Sequence, residues 1–411
     1  MWMKLLFAAG AAATFQAPTG APPPPTQPPA LVLRNANLID GVTSRPQRGV
    51  TVIVRSGRIE QVRSAPAPLP ADARVIDLDG RWLLPGLIDA HVHLRDLESA
   101  RAALRSGVTT ARSMGVDHFV DVGIAELHRA GATDLPHVVA SGYHVRRRLS
   151  DALFIDFPSL IHLRGGLRDA AAVRQVVQAN AGRGARVVKV MATERAGTVD
   201  ADFRRRALGD AELRAAVEEA SRAGLAVAAH AHTDDGARAA ILAGVRTIEH
   251  GSLMSESTLT LMRERRVCFV PTLSFWADMK DPGGEYDGVA LSIRARAIQP
   301  RVRRTVVAAA RLGVSIAAGS DMRYDAGSVY QLVDELVELT QSGLAPMAAI
   351  QAGTSTAAAC LGLAHETGSI RAGLQADMIV VDADPTRDVA ALHDPVLVIN
   401  DGAVALDRLS H

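Results

Sequence analysis

Short apolar runs alternate with helix-like stretches along most of this chain, and each run carries a polar residue at or near its C-terminal end. The clearest are residues 186–192, 226–232, 247–251 and 315–321, which bring Lys189, His230 with His232, Glu249 with His250, and Asp321. Between and around them, residues 169–181, 210–223, 234–243, 255–265 and 291–312 read as helices. Strands alternating with helices imply parallel strands joined by crossovers, because a tight hairpin can only join antiparallel neighbours. The apolar run leading into His91, with residues 107–114, 137–144 and 267–273, brings the strand count to eight. Eight such units predict an α/β fold, a (β/α)8 barrel whose chemistry sits at the C-terminal ends of its strands. Five of those strands then deliver His91, His93, Lys189, His230, His250 and Asp321 to one mouth.

His91 and His93 stand two apart after the turn marked by Pro85 and Gly86. Residues i and i+2 of a strand face the same way, so two imidazoles at this spacing can grip one metal ion. Two satisfied histidines on an edge strand are the plainer alternative. Lys189 is one of only three lysines, with Lys4 and Lys280, in a chain with 45 basic residues. A bare ammonium inside an apolar strand would cost several kcal/mol in desolvation. It can escape by snorkelling to solvent or by pairing with an acid. It can also react as the neutral amine with CO2, giving a carbamate whose two oxygens bind two metals.

The ordered motifs resemble those of the amidohydrolase superfamily, more narrowly its imidazolonepropionase-like and prolidase-like metal-dependent hydrolases. They are LPGLIDAHVHL from Leu84, VVKVMAT from Val187, VAAHAH from Val227, TIEHG from Thr247, VPTL from Val270 and AAGSD from Ala317. GSIRAGLQADMIVVDADP from Gly368 resembles the tail by which these chains return to a small β-domain. The resemblance implies a two-metal hydrolase with His91, His93, His230, His250 and Asp321 as ligands and a carboxylated Lys189 as the bridge. Such donors suit Zn²⁺, with Mn²⁺, Co²⁺ or Fe²⁺ also possible. A water shared by the two ions becomes a bridging hydroxide near neutral pH and attacks an amide carbonyl. Asp321 can take its proton and pass it to the leaving nitrogen. An N-cap of a following helix is the other reading of Asp321.

Other positions depart from the family pattern. A Thr-Gly-Gly-His loop is expected after the third strand, and the sequence has Ser141, Gly142, Tyr143 and His144, then Arg146, Arg147, Arg148 and an insertion containing His162. Ala192, Thr193, Glu194 and Arg195 stand where a glycine pair is usual. Both departures fall in loops where such barrels set specificity. Tyr143, His144 and Arg146 are candidates to hold a substrate carboxylate, and His232, on the same face as His230, is a candidate to orient substrate. Glu249 should face away from His250 and hold a neighbouring element.

The leading activity is hydrolysis of an amide bond in a dipeptide or N-acyl amino acid. A mononuclear deaminase or cyclic-amide hydrolase of the same superfamily is the alternative, but Thr233, Asp234 and Asp235 occupy the place where those enzymes carry a glutamate shuttle. A barrel that only binds a ligand would have no need of Asp321 beside a metal-bound water. A net charge of +1, from 45 basic and 44 acidic residues, gives no field for nucleic acid or a membrane surface. The expected partner is a small-molecule amide, and a homo-oligomer stays open. Residues 1–17 read as a signal peptide and 18–30 as a proline-rich linker, which places the protein in the periplasm or outside the cell; a cytoplasmic leader is the other reading. Residues 31–82 and 368–411 form a small β-sandwich domain and 83–367 the barrel. Cys268 and Cys360 read as buried small hydrophobes, with a disulfide open to them in an oxidising compartment.

Overall fold

Seven parallel strands with helices between them carry the centre of the chain in the computed structural model, which describes residues 29–64 and 68–409. The signal peptide and nearly all of the linker therefore lie outside the described residues. The parallel strands are preceded by β1 (Leu31–Leu38), β2 (Gln47–Arg55), β3 (Arg58–Arg63), β4 (Arg74–Asp77) and β5 (Trp82–Pro85). They are β6 (Leu87–Val92), β7 (Val108–Ser113), β8 (His137–Ala140), β9 (Val187–Met191), β10 (Ala226–Thr233), β11 (Thr247–Leu253) and β12 (Cys268–Val270). They form a sheet β6-β7-β8 and a sheet β9-β10-β11-β12. Nearly every residue of these strands is buried, as expected for parallel strands covered on both faces.

The intervening helices start where the sequence offers caps. Asp169 accepts from the Ala172 amide ahead of Ala170–Gly182, Thr233 from Gly236 ahead of Asp234–Ala243, and Ser255 from Thr258 ahead of Glu256–Arg265. Asp210–Arg222 and Val289–Arg311 complete the set read from the pattern.

Residues 315–321, expected as the eighth strand, make only single backbone pairings. Ile316 bridges Phe269, and Met322 just beyond bridges Val92. The Ala90 amide donates to Ala318 and the Asp321 amide to His91, at 2.9 and 2.7 Å. Asp321 has φ +61°, so the chain turns before a regular ladder can form. Gly319 permits the close approach, since a Cβ there would collide with Val270 and with His91. Strand β8 also stops short of His144, because the Ser141 and Gly142 amides bond the Asp121 carboxylate at 2.9 and 3.0 Å. Beyond it, Val145 exchanges backbone bonds with Lys189 and Met191 on β9.

The two ends of the described chain meet in one eight-stranded mixed sheet, completed by β13 (Met378–Val381), β14 (Leu397–Asn400) and β15 (Ala403–Asp407). It is hydrogen-bonded as a single branched sheet rather than as two sheets, because one edge of β1 pairs with β4 over Leu31–Arg34 and with β5 over Asn37–Leu38. Strand β5 therefore belongs to this sheet, and β6 begins the parallel set two residues later.

Cys268 and Cys360 form a disulfide, with Cα atoms 5.9 Å apart, which corrects their reading as separate small hydrophobes. They lie 92 residues apart, and only the packing of β12 against helix Ser355–Leu361 brings them together. The chain-entropy account assigns a loop of that length about 4–5 kcal/mol. Replacing both cysteines by serine should lower the melting temperature by about 5 °C in this large chain, read by calorimetry. A variant that melts with the parent would mean that packing alone fixes this contact.

Candidate metal centre

The parallel strands and the segment after Gly319 bring the six expected donors into one buried cluster. His91 lies near the end of β6 and His93 just beyond it, Lys189 is central in β9, His230 is on β10, His250 is on β11, and Asp321 follows the bend after Gly319. The Lys189 Nζ lies 3.2 Å from His91 Nε2. Asp321 Oδ1 is 2.9 Å from His93 Nε2 and 3.5 Å from His91 Nε2, and Asp321 Oδ2 is 3.9 Å from His250 Nδ1. The His230 and His250 rings are 4.4 Å apart between centroids. Two groups offer three donor atoms mutually within 4.8 Å: His91 with His250 and Asp321, and His230 with His232 and His250.

Burial sets the charge of this cluster. It pushes His91 down to about 4 and His232 to about 3, lowers His93, and holds His230 and His250 well below the ordinary histidine range. At neutral pH these imidazoles keep the lone pairs that a metal needs. Burial would raise Asp321, but His91, His93 and Lys189 outweigh it and hold the carboxyl below the usual carboxylate range. Burial lowers the Lys189 ammonium to about 8 even with Glu249 and Asp321 nearby.

A polar scaffold fixes the donors from behind. Glu249 faces away from His250, as expected, and accepts from His91 Nδ1 at 2.8 Å. Its other oxygen takes Arg112 Nη2 at 2.8 Å and the Thr247 hydroxyl. Arg112, only 2% exposed, also bonds the Ala90 carbonyl at 2.6 Å, so it ties β6, β7 and β11 together. Asp89 accepts from the Ser320 amide and hydroxyl and from Tyr324, which sets the bend that aims Asp321. Thr272 holds His250 Nδ1 at 2.7 Å. Both Thr272 and His250 have positive φ, +50° and +71°, a conformation that residues other than glycine keep only where the surroundings enforce it.

Glu249 makes a test of that scaffold. Burial opposes its ionisation, yet Arg112 and His91 bring its carboxyl down to about 2. Its ionised form thus favours the fold above the unfolded glutamate value, and that contribution is lost as pH falls towards 2. Glu249→Gln should flatten this acid limb of the stability curve. It should also weaken divalent-metal affinity about ten- to a hundredfold, the usual effect of removing a partner behind a liganding histidine. Titration with metal and acid unfolding followed by circular dichroism would read both.

The candidate substrate contacts divide. His144 lines the cavity over the cluster, its ring 6.1 Å from that of His93, in room that Gly115 leaves by lacking a Cβ. Arg146 lines the clefts beside that cavity. Tyr143 does not face it: its hydroxyl donates to Asp156 at 2.6 Å and accepts from the His118 amide. His232 stands behind His230 and His250 against Phe203 and Trp276, its Nδ1 on the Ser252 hydroxyl and its Nε2 buried without a partner among the described residues. Arg195, Phe275 and Tyr286 line the cavity without having been expected there. For Arg195 the signal was the departure from a glycine pair after Ala192.

Known proteins resemble the chain across this whole region. A model of the amidohydrolase family matches residues 82–405. Ochratoxinase of Aspergillus niger is 27% identical over 354 residues, which span 77% of this chain and 73% of that one. The solved structure of a Xaa-Pro dipeptidase with bound methionine in the active site is 26% identical with a TM-score of 0.82, covering 91% of this chain and 99% of that one. A prolidase complexed with N-methylphosphonate-L-proline is 25% identical with a TM-score of 0.80, covering 92% and 100%.

Proposed function

The chain belongs to the amidohydrolase family, and on that premise we propose that it cleaves the amide bond of a dipeptide or N-acyl amino acid at a two-metal centre. It is a hydrolase of carbon–nitrogen bonds. The observation that carries the finer reading is Lys189, fully buried at 3.2 Å from His91 with its ammonium lowered to about 8. Its neutral amine adds to CO2, forming an N–C bond and releasing one proton. The carbamate oxygens then complete a donor set with His91, His93, His230, His250 and Asp321.

The donors fit divalent ions: neutral imidazoles, an ionised carboxylate, and the orphaned His232 Nε2 behind them. Ions held there, with Zn²⁺ favoured by this donor chemistry, supply the charge that polarises the amide carbonyl and makes the attacking water acidic. Asp321 takes a proton from that water. It returns the proton to the amide nitrogen as the C–N bond breaks, so the products are a carboxylic acid and an amine. His144 stands in the wall as a neutral donor to substrate. The backbone bonds that link the two parallel sheets, through Val145 to β9 and through residues 315–321 between β12 and β6, support a (β/α)8 barrel.

The one-ion deaminase finds less support. Asp234 accepts from the Ser255 amide at 2.7 Å and Asp235 pairs with Arg206 at 3.0 Å, so neither acid after His232 is free to shuttle protons. No helix among the described residues is long and apolar enough to cross a membrane. The disulfide supports an exported protein, since disulfides persist in oxidising compartments. Elemental analysis of the purified protein should find about two ions per chain. A panel of dipeptides and N-acyl amino acids, assayed with Mn²⁺ and Zn²⁺ separately, should contain substrates. About one ion per chain with turnover of a cyclic amide or an aminopurine would instead place the enzyme in the deaminase branch.

A further inference from the structure

Arg195 stands where three cavities meet: the one over the donor cluster and the two clefts beside it. One of those clefts is lined by His93, Arg95, Asp117, His144, Arg146 and Arg195. None of the three arginine side chains there makes a hydrogen bond or ion pair with a described residue. Elsewhere the chain's arginines are either partnered, as Arg147 is by Glu212 and Arg303 by Glu338, or exposed, whereas Arg146 and Arg195 are half-buried. Like charges gathered around one cleft without partners repel each other, and such an arrangement is maintained where a ligand offsets it. Burial and then the neighbouring Arg195 lower Arg146 from its ordinary value, against the carboxylates of Asp117 and Glu194.

We propose that Arg95, Arg146 and Arg195 form an anion-binding cleft beside the donor cluster, and that the substrate is an amide with two negative charges, an N-acyl or peptidyl aspartate or glutamate. This rests on the reading of the enzyme as an amide hydrolase. The count of charges sets the class. Three guanidiniums against the carboxylate of Asp117 leave two positive charges in the cleft. Glu194 and Asp200 stand in the adjoining cleft with Arg148, and Arg147 there is already paired with Glu212, so the surplus belongs to the cleft that Arg95 lines. A guanidinium takes a carboxylate in a two-point fork, so one carboxylate would occupy one arginine and leave the others bare. Arg195 reaches both the donor cavity and this cleft, so it is placed for the carboxylate nearer the scissile bond. Arg95 and Arg146 line only the clefts and fit the more distant one.

The test separates binding from turnover. Glutarate has two carboxylates and no scissile bond, and butyrate has one carboxylate. Calorimetry on the full chain as purified should show glutarate binding at least about tenfold more tightly than butyrate, and losing affinity as salt is raised. Arg195→Gln and Arg146→Gln should each weaken glutarate about ten- to a hundredfold while melting like the parent. In turnover, kcat/KM for N-acetyl-L-glutamate should exceed that for N-acetyl-L-glutamine, and Arg195→Gln should erase the difference mainly through KM. Equal binding of the two acids, or glutarate affinity unmoved in both variants, overturns the anion cleft. Turnover of neutral amides in preference to acidic ones overturns the substrate class and leaves the hydrolase standing. Arginine-dependent glutarate binding without cleavage of any amide would keep the cleft and remove the hydrolase.

Discussion

Lys189→Ala should leave the protein unable to hold two divalent ions, and kcat should fall by more than the ten- to hundredfold that loss of a supporting partner costs. The expectation rests on what stands around the side chain. Lys189 is buried in β9 with His91 at 3.2 Å, and Glu249 and Asp321 supply negative charge. An ordinary structural lysine would answer those charges as an ammonium and would be dispensable to metal binding. On the proposed carbamate reading the residue is a ligand, so its removal would leave both ions short of a donor. Adding a short carboxylic acid such as formate or propionate to the variant should restore part of the activity, because it returns two oxygens to the same space. Elemental analysis and turnover with and without the acid are the measurements. Two ions per chain and near-normal turnover in Lys189→Ala would sink the carbamate.

The buried cluster is legible in the sequence because parallel strands expose their C-terminal ends in a fixed order. His91, His93, His230 and His250 each end or follow an apolar run, and the alternation of strands and helices sends those ends the same way. Lys189 stands out because all but three of 45 basic residues are arginine. Arg112 plays an equally buried part, and the same commonness of arginine hides it, although a lone cation in the run Val108–Ser113 is the same kind of signal. What fails to show is whatever depends on contact between distant segments. Tyr143 looks like a substrate contact until Asp156, from the insertion after β8, takes its hydroxyl. The bond between Cys268 and Cys360 has no local signature at a separation of 92 residues. The segment 315–321 has the composition of a strand, but Asp89, Gly319 and the positive φ of Asp321 bend it into a turn.

Asp321→Asn is the sharper test of the chemistry, because it preserves shape and removes one function. The side chain is buried, and its oxygens lie 2.9 Å from His93 Nε2 and 3.9 Å from His250 Nδ1. An amide there keeps one oxygen for binding but cannot take a proton from the attacking water. The rate should therefore fall about a hundredfold or more, the usual worth of a general acid–base group. KM should move little, since the proton is in flight only in the transition state. The parent carboxyl is held below the usual carboxylate range, so it stays ionised at neutral and mildly acidic pH. Any acid limb in the parent's kcat above pH 5 must then come from another group. His144, which shares the cavity wall with Asp321, is itself held well below the ordinary histidine range by burial, so it stays a neutral base there and is not the source of such a limb. If Asp321→Asn at saturating metal turns over like the parent, proton transfer belongs to His144, and His144→Ala should then show the hundredfold loss instead.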